Sequence, residues 1–148
     1  MADFSYTTTP PKPIIEAYLA QLLFEIKAPL DVVFHKQSQK LSQIEALVAA
    51  YSICRGELGQ AIELLSIGSR ATLAPKHRAC LQLMETFYEH MLKEDLVEIA
   101  PKRTNHSAIL RFVKKYTAFI SSFHLCLLED TDKKARKELI KEFTQNVL

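Results

Sequence analysis

Glycine is nearly missing from this chain, with three among 148 residues, and tryptophan is absent altogether. Tight two-residue hairpins and glycine-rich phosphate loops need backbone that glycine adopts most freely, so neither is expected. Cysteine is also scarce. Cys54, Cys80 and Cys126 are odd in number and show no metal-ligand spacing, which argues against a disulfide framework or a zinc finger. Each lies on or beside an apolar helical stripe, where a free thiol behaves as a small hydrophobe, so a reducing, cytoplasmic setting is expected. No apolar run approaches the roughly 20 residues that a membrane-spanning helix needs. The opening "MADFSYTTTPPKP" has neither a basic start nor an apolar run, so no signal peptide is expected. Gly-x-Ser-x-Gly, Walker-type loops, His-Glu-x-x-His and Glu-x-x-His do not occur. The expectation is a chain with no catalytic residue, no cofactor and no metal ligand.

What is present is helical periodicity. Ile14, Ile15, Tyr18, Leu19, Leu22, Leu23 and Ile26 recur at helical spacing, with Pro13 opening that helix and Pro29 ending it. A second helix starts near residues 38–42, where Ser42 and Glu45 have capping-box spacing, and Gly56 ends it. A third carries Leu58, Ala61, Ile62 and Leu65 and fades near Gly68. Pro75 opens a fourth, with Cys80, Leu83, Met84, Phe87 and Met91 inward, and Pro101 closes that region. Thr104 or Asn105 caps a fifth. There Phe112, Tyr116, Phe119 and Phe123 form a stripe wide enough to place the helix at the centre. Asp130, Thr131 or Asp132 starts a sixth, with Leu139, Ile140, Phe143 and Val147 apolar. No strand alternation competes. The expected fold is all-α: a disordered leader over 1–12, then one compact bundle of five to seven helices over 13–148.

The segment "LVAAYSICRGELGQAIELLSIGS", residues 47–69, resembles part of a tetratricopeptide repeat. Gly56 is the turn, Leu58 and Leu65 fill the interior, and Ala49, Ala61 and Gly68 are small enough for two helices to approach closely. The resemblance implies a helical hairpin of a peptide-binding scaffold. The same residues also make a tight hairpin within a unique bundle, and this second reading is the one taken here.

"FYEHMLKED", residues 87–95, contains His90, Met91, Leu92 and Lys93, which resemble the His-x-Leu-Lys core of histidine phosphotransfer domains. The resemblance implies a four-helix bundle with His90 as phosphoacceptor. The surrounding residues point elsewhere. Glu89, Glu94 and Asp95 would repel a phosphoryl group and favour a protonated, non-nucleophilic imidazole. Pairing of His90 with Glu94, one turn on, is the expected role. Together these two could also reach a metal ion, but no repeated ligand set accompanies them. His124 is expected to be partly buried and hydrogen-bonded.

Charge is unevenly placed. Acidic residues exceed basic ones over 1–99, basic exceed acidic over 100–148, and the net is +2. Arg111, Lys114 and Lys115 on the fifth helix, with Lys133, Lys134, Lys137 and Lys141 on the sixth, would form one basic face if the two helices are neighbours. Glu129–Lys133, Asp130–Lys134 and Asp132–Arg136 are i, i+4 pairs, and no aromatic residue interleaves with the cations, so a solvated face is expected and nucleic acid is not. The sequence as a whole reads as a non-catalytic protein–protein interaction module, an adaptor, chaperone or regulatory protein, whose partner is another protein or a second copy. The alternatives are a phosphotransfer module using His90 and a weak binder of anionic polymer or lipid through the basic helices of 106–147.

Overall fold

Apolar residues three and four apart build helices whose stripes must find cover, and among the described residues five such helices cover one another in a compact bundle. A computed structural model gives this fold. It describes residues 10–36, 39–68, 70–94 and 106–148, except the side chains of residues 40, 41, 94 and 106–109. There is no strand among the described residues. The expected leader falls mostly outside them, as do Pro101 and the caps expected at Thr104 or Asn105.

α1 spans Lys12–His35, with a proline in its first turn as expected. Its buried stripe is Ile15, Leu19, Leu22, Ile26, Leu30 and Val33. The helix does not stop at Pro29, and this corrects the sequence reading. Proline inside a helix forfeits one hydrogen bond and strains the preceding turn, at about 3 kcal/mol. Leu30 and Val33 lie beyond it and are both buried, and each such side chain contributes about 1.5–3 kcal/mol, so packing outweighs the local cost.

α2 spans Lys40–Leu65 as one helix. The expected hairpin does not exist: Gly56 lies within the helix, Leu58, Ala61 and Leu65 follow one buried stripe, and Ala49 is exposed on the other side of the same helix rather than facing them across a turn. Ala61, Leu58 and Leu65 are buried, as are Leu47, Tyr51 and Cys54 before the glycine, so the apolar register runs unbroken across it. Gly68 lies past the helix end. The capping box is also not formed. The helix starts at Lys40 behind Gln39, so Ser42 and Glu45 are interior residues.

A short 3-10 turn, Arg70–Thr72, leads into α3, Pro75–Glu94. α4 spans His106–Leu127, and α5 spans Lys133–Glu142 and widens into a π-type turn, Phe143–Val147. Asp132 caps α5, its side chain accepting from the Ala135 backbone N–H at 2.8 Å, as one of the three expected starts.

α1 packs along α2, α3 lies between α2 and α4, and α5 closes over α3 and α4. At the centre, Phe87 of α3 stacks on Phe119 of α4 with centroids 4.6 Å apart. Phe112, Tyr116 and Phe143 surround it at 5.9–6.1 Å. The expected central position of the phenylalanine-rich helix is thus observed. Tyr51 and Tyr116 lie fully inside and both find acceptors: Tyr51 donates to the Met91 carbonyl and Tyr116 to the Ile26 carbonyl, each at 2.7 Å. All three cysteines are free and buried. Burial pushes the Cys54 thiol up to about 12 and the Cys126 thiol up to about 11, leaving them protonated and inert. None of the described helices is long and apolar enough to cross a membrane.

Candidate functional site

The packing of α1 on α2 leaves a groove on the outer side of that pair, with a volume of about 570 Å³. Phe24, Ala28 and Val32 recur every four residues along α1 and supply one wall, with Pro29 beside them. Ala46, Ala49 and Ile53 of α2 supply the floor and the other wall. Phe24 is 67% exposed, Val32 48% and Ile53 44%, so the groove offers large apolar side chains to water. Ala28, Ala46 and Ala49 are small, which is what makes the surface concave. Ala49 therefore has a different place from the one its hairpin role implied.

Glu25 and Glu57 border the same groove, and their carboxyls hydrogen-bond to each other. Two such groups share a proton more readily than both ionise. The Glu57 carboxyl is raised above the ordinary carboxylate value by its bond to Glu25. Glu25 is held below it by the same bond and by the Gln21 amide, which donates at 3.1 Å. Tyr18 lies close by, its phenol raised by burial and by the two glutamates.

A second polar cluster joins three distant parts of the chain. Lys76, 5% exposed, places its Nζ 2.8 and 2.9 Å from the two oxygens of Glu16, pairs also with Glu129, and reaches the Leu127 carbonyl at 3.4 Å. His77 is fully buried, with Nε2 2.9 Å from Glu16 Oε1. Its Nδ1 has no partner among the described residues. Burial pushes Glu16 up, but the bonds from Lys76 and His77 outweigh it and hold the carboxyl below its ordinary value. Burial pulls Lys76 down, and Glu129 and Glu16 more than restore it. The cluster clasps the starts of α1 and α3 to the end of α4.

The third feature lies between the start of α3 and α5, a groove of about 310 Å³. Arg70, Arg78, Lys133, Arg136 and Lys137 line it. The expected basic face is therefore divided. Lys133 and Lys137 border this groove together with Arg70 and Arg78, which the sequence reading did not include, and no cation of α4 lines it. Lys134 and Lys141 are exposed elsewhere on α5, and Arg111 and Lys114 are exposed on α4.

Lys115 turns toward α3, where its Nζ lies 3.1 Å from His90 Nε2. An ammonium only donates, so the half-buried imidazole accepts in this contact. That is the reverse of the protonated ring expected from the neighbouring acids. The side chain of Glu94, the expected partner of His90, lies outside the described residues. His124 is exposed rather than partly buried. Among the described residues, no three of His, Cys, Asp and Glu converge closely enough to hold a metal ion.

Comparison with protein-family models, with curated proteins and with solved structures returned no match to this chain.

Proposed function

We propose that this chain is a non-catalytic protein-interaction module, of the adaptor or regulatory kind, that docks an amphipathic helix of another protein between α1 and α2. The observation that carries the reading is the side-by-side exposure of Phe24, Val32 and Ile53 along one concave strip. An apolar strip of this kind is costly to leave in water and marks a binding face more often than a scattered exposed side chain does. From Phe24 to Val32 the strip runs about 12 Å at 1.5 Å per residue, and Ala46 to Glu57 covers about 16 Å. That matches two to three turns of a docked helix with anchors at i, i+4 and i+7.

The occupant's chemistry follows from the end of the groove. Glu25 and Glu57 crowd two carboxyls beside Phe24, and a cation placed between them would relieve that crowding. The partner helix therefore carries a lysine or arginine at the edge of its apolar face. This complementarity favours a basic amphipathic helix over a purely apolar one.

A library of displayed helical peptides, selected on the full chain, tests the reading. Enriched sequences should be amphipathic and basic at one end, and Phe24→Asp with Ile53→Asp should abolish their binding while leaving the thermal melt in place. Sedimentation of the free chain decides the other occupant. A concentration-dependent dimer dissolved by the same two substitutions would give the groove to a second copy. Peptides that bind the doubly substituted chain as well as the parent would remove the groove from consideration.

A further inference from the structure

The cationic groove is independent of the apolar one and has a different chemistry. Of its five cations, Arg70 alone has a carboxylate partner among the described residues, bound in a two-pronged pair with Glu85. Arg78 donates to the carbonyls of Leu73 at 3.1 Å and Ala71 at 3.4 Å. Arg136 donates to the carbonyls of Cys126 at 2.9 Å and Leu128 at 2.8 Å. A carbonyl fixes a guanidinium in position without cancelling its charge, so Arg78 and Arg136 are held in place and remain cationic. Lys133 and Lys137 make no ion pair among the described residues and bring two mobile ammonium groups to the same opening.

The backbone adds to this field. α3 begins at Pro75 and α5 at Lys133, both at the groove, so the positive ends of two helices of 20 and 10 residues open beside the cations. Asp132 is the nearby acid on α5, and its carboxylate is engaged with the Ala135 N–H at the cap. Pro75, Ala79, Leu81 and Ile140 add apolar surface to the lining, and the Gln82 amide completes it.

We propose that this groove is a binding site for a small phosphate-bearing ligand, a phosphate monoester or pyrophosphate group attached to a compact body that rests on Ile140 and Ala79. Four uncancelled cations around one opening call for a compact group with more than one negative charge. A phosphate monoester carries nearly two at neutral pH, and a carboxylate carries one. Guanidinium forks also match phosphate oxygens in pairs. A volume of about 310 Å³ lies at the small end of the range for small-molecule sites, which fits a phosphorylated metabolite or a single lipid headgroup.

Calorimetric titration of the full chain with inorganic pyrophosphate, alongside flotation with phosphatidylcholine vesicles containing phosphatidic acid, tests the site. The expected result is saturable one-to-one pyrophosphate binding that weakens steeply with added salt. Lys133→Glu with Lys137→Glu should weaken it by at least about tenfold, as expected for losing two charge-assisted contacts. Lys114→Glu with Lys141→Glu changes the net charge equally but lies outside the groove, and should leave binding within about twofold. Unchanged thermal melts for both pairs show that folding is retained. Pyrophosphate binding without vesicle capture assigns a soluble ligand, and capture that depends on Lys133 and Lys137 assigns a headgroup. Equal weakening by the two substituted pairs would overturn the proposal, because it would reduce the groove to general surface charge. So would the absence of both a pyrophosphate isotherm and vesicle capture.

Discussion

Phe119 has no room to move: it stacks on Phe87 and touches Phe123 and Phe143 with centroids 5.6 and 5.9 Å away. Phe119→Ala should cost about 3–5 kcal/mol in a denaturant melt, through lost transfer energy and the cavity left behind. A loss below about 1 kcal/mol would mean that α4 is peripheral. The position of Phe119 was legible, because aromatic spacings of four, three and four point to one buried face. Lys76 and His77 were not. A lysine and a histidine just after a helix-opening proline read as exposed, and the glutamate that justifies their burial is 60 and 61 positions away. The clasp has a pH signature. A carboxylate whose folded value is depressed adds stability above its unfolded value and loses it as pH falls through the folded one. Glu16 is held below 4.5, so its contribution is whole at neutral pH and fades in acid below that point. Lys76 is raised above 10.5, so its contribution is whole below that value and is lost only in stronger alkali. Glu16→Gln should therefore lower Tm at neutral pH and converge with the parent chain in strong acid. Parallel Tm curves across the acid range would show that the clasp is not linked to Glu16 ionisation.

At the scale of elements, the sequence marked the starts of α3 and α5 within a residue or two but divided α2 and shortened α1. Both errors have one cause. Gly56 and Pro29 are local signals, each worth about 1–3 kcal/mol against a helix, and long-range burial on either side outweighs them. Leu58, Ala61 and Leu65 need cover as much as Leu47 and Tyr51 do, and a continuous α2 gives all of them the same face. This makes Gly56 a useful probe. It keeps helical backbone within α2, and a methyl group added there meets nothing within 4 Å. Gly56→Ala should therefore stabilise the protein by about 0.5–1 kcal/mol, the ordinary difference between the two residues inside a helix. Had the chain turned at Gly56 in a left-handed conformation, the same change would be destabilising. Gly59→Ala, one turn on, is the control. Its added methyl would sit 3.3 Å from the Tyr88 hydroxyl, so the tyrosine must give way and the gain should shrink or reverse. Equal gains at both positions in a thermal melt would contradict this packing of α3 on α2.

At the scale of the molecule, the two grooves arise from pairings that the sequence does not announce. Phe24 and Val32 lie off the main stripe of α1, and they become one surface only when Ala46, Ala49 and Ile53 of α2 are placed opposite. Likewise Arg70 and Arg78 join Lys133 and Lys137 only because α5 folds back over α3. Solitary exposed apolar residues and dispersed cations are ordinary in any chain, so neither set stood out before the helices were assembled. The apolar groove makes a prediction that depends on this assembly. Glu57 is raised because Glu25 faces it, and a docked lysine or arginine is best met when both carboxyls are ionised. Binding of a basic amphipathic helix should therefore release the shared proton, and affinity should rise as pH climbs from 4.5 toward neutrality, through the raised Glu57 value. Glu57→Gln removes the titrating member of the pair. It should flatten that pH dependence and reduce the preference for basic over neutral peptides, while the apolar anchors at Phe24 and Ile53 continue to bind. Anisotropy titrations of matched lysine and norleucine peptides across this range read both effects at once. A pH dependence that survives in Glu57→Gln would place the titrating group elsewhere, and lysine and norleucine peptides of equal affinity would strip the glutamate pair of its part in choosing the partner.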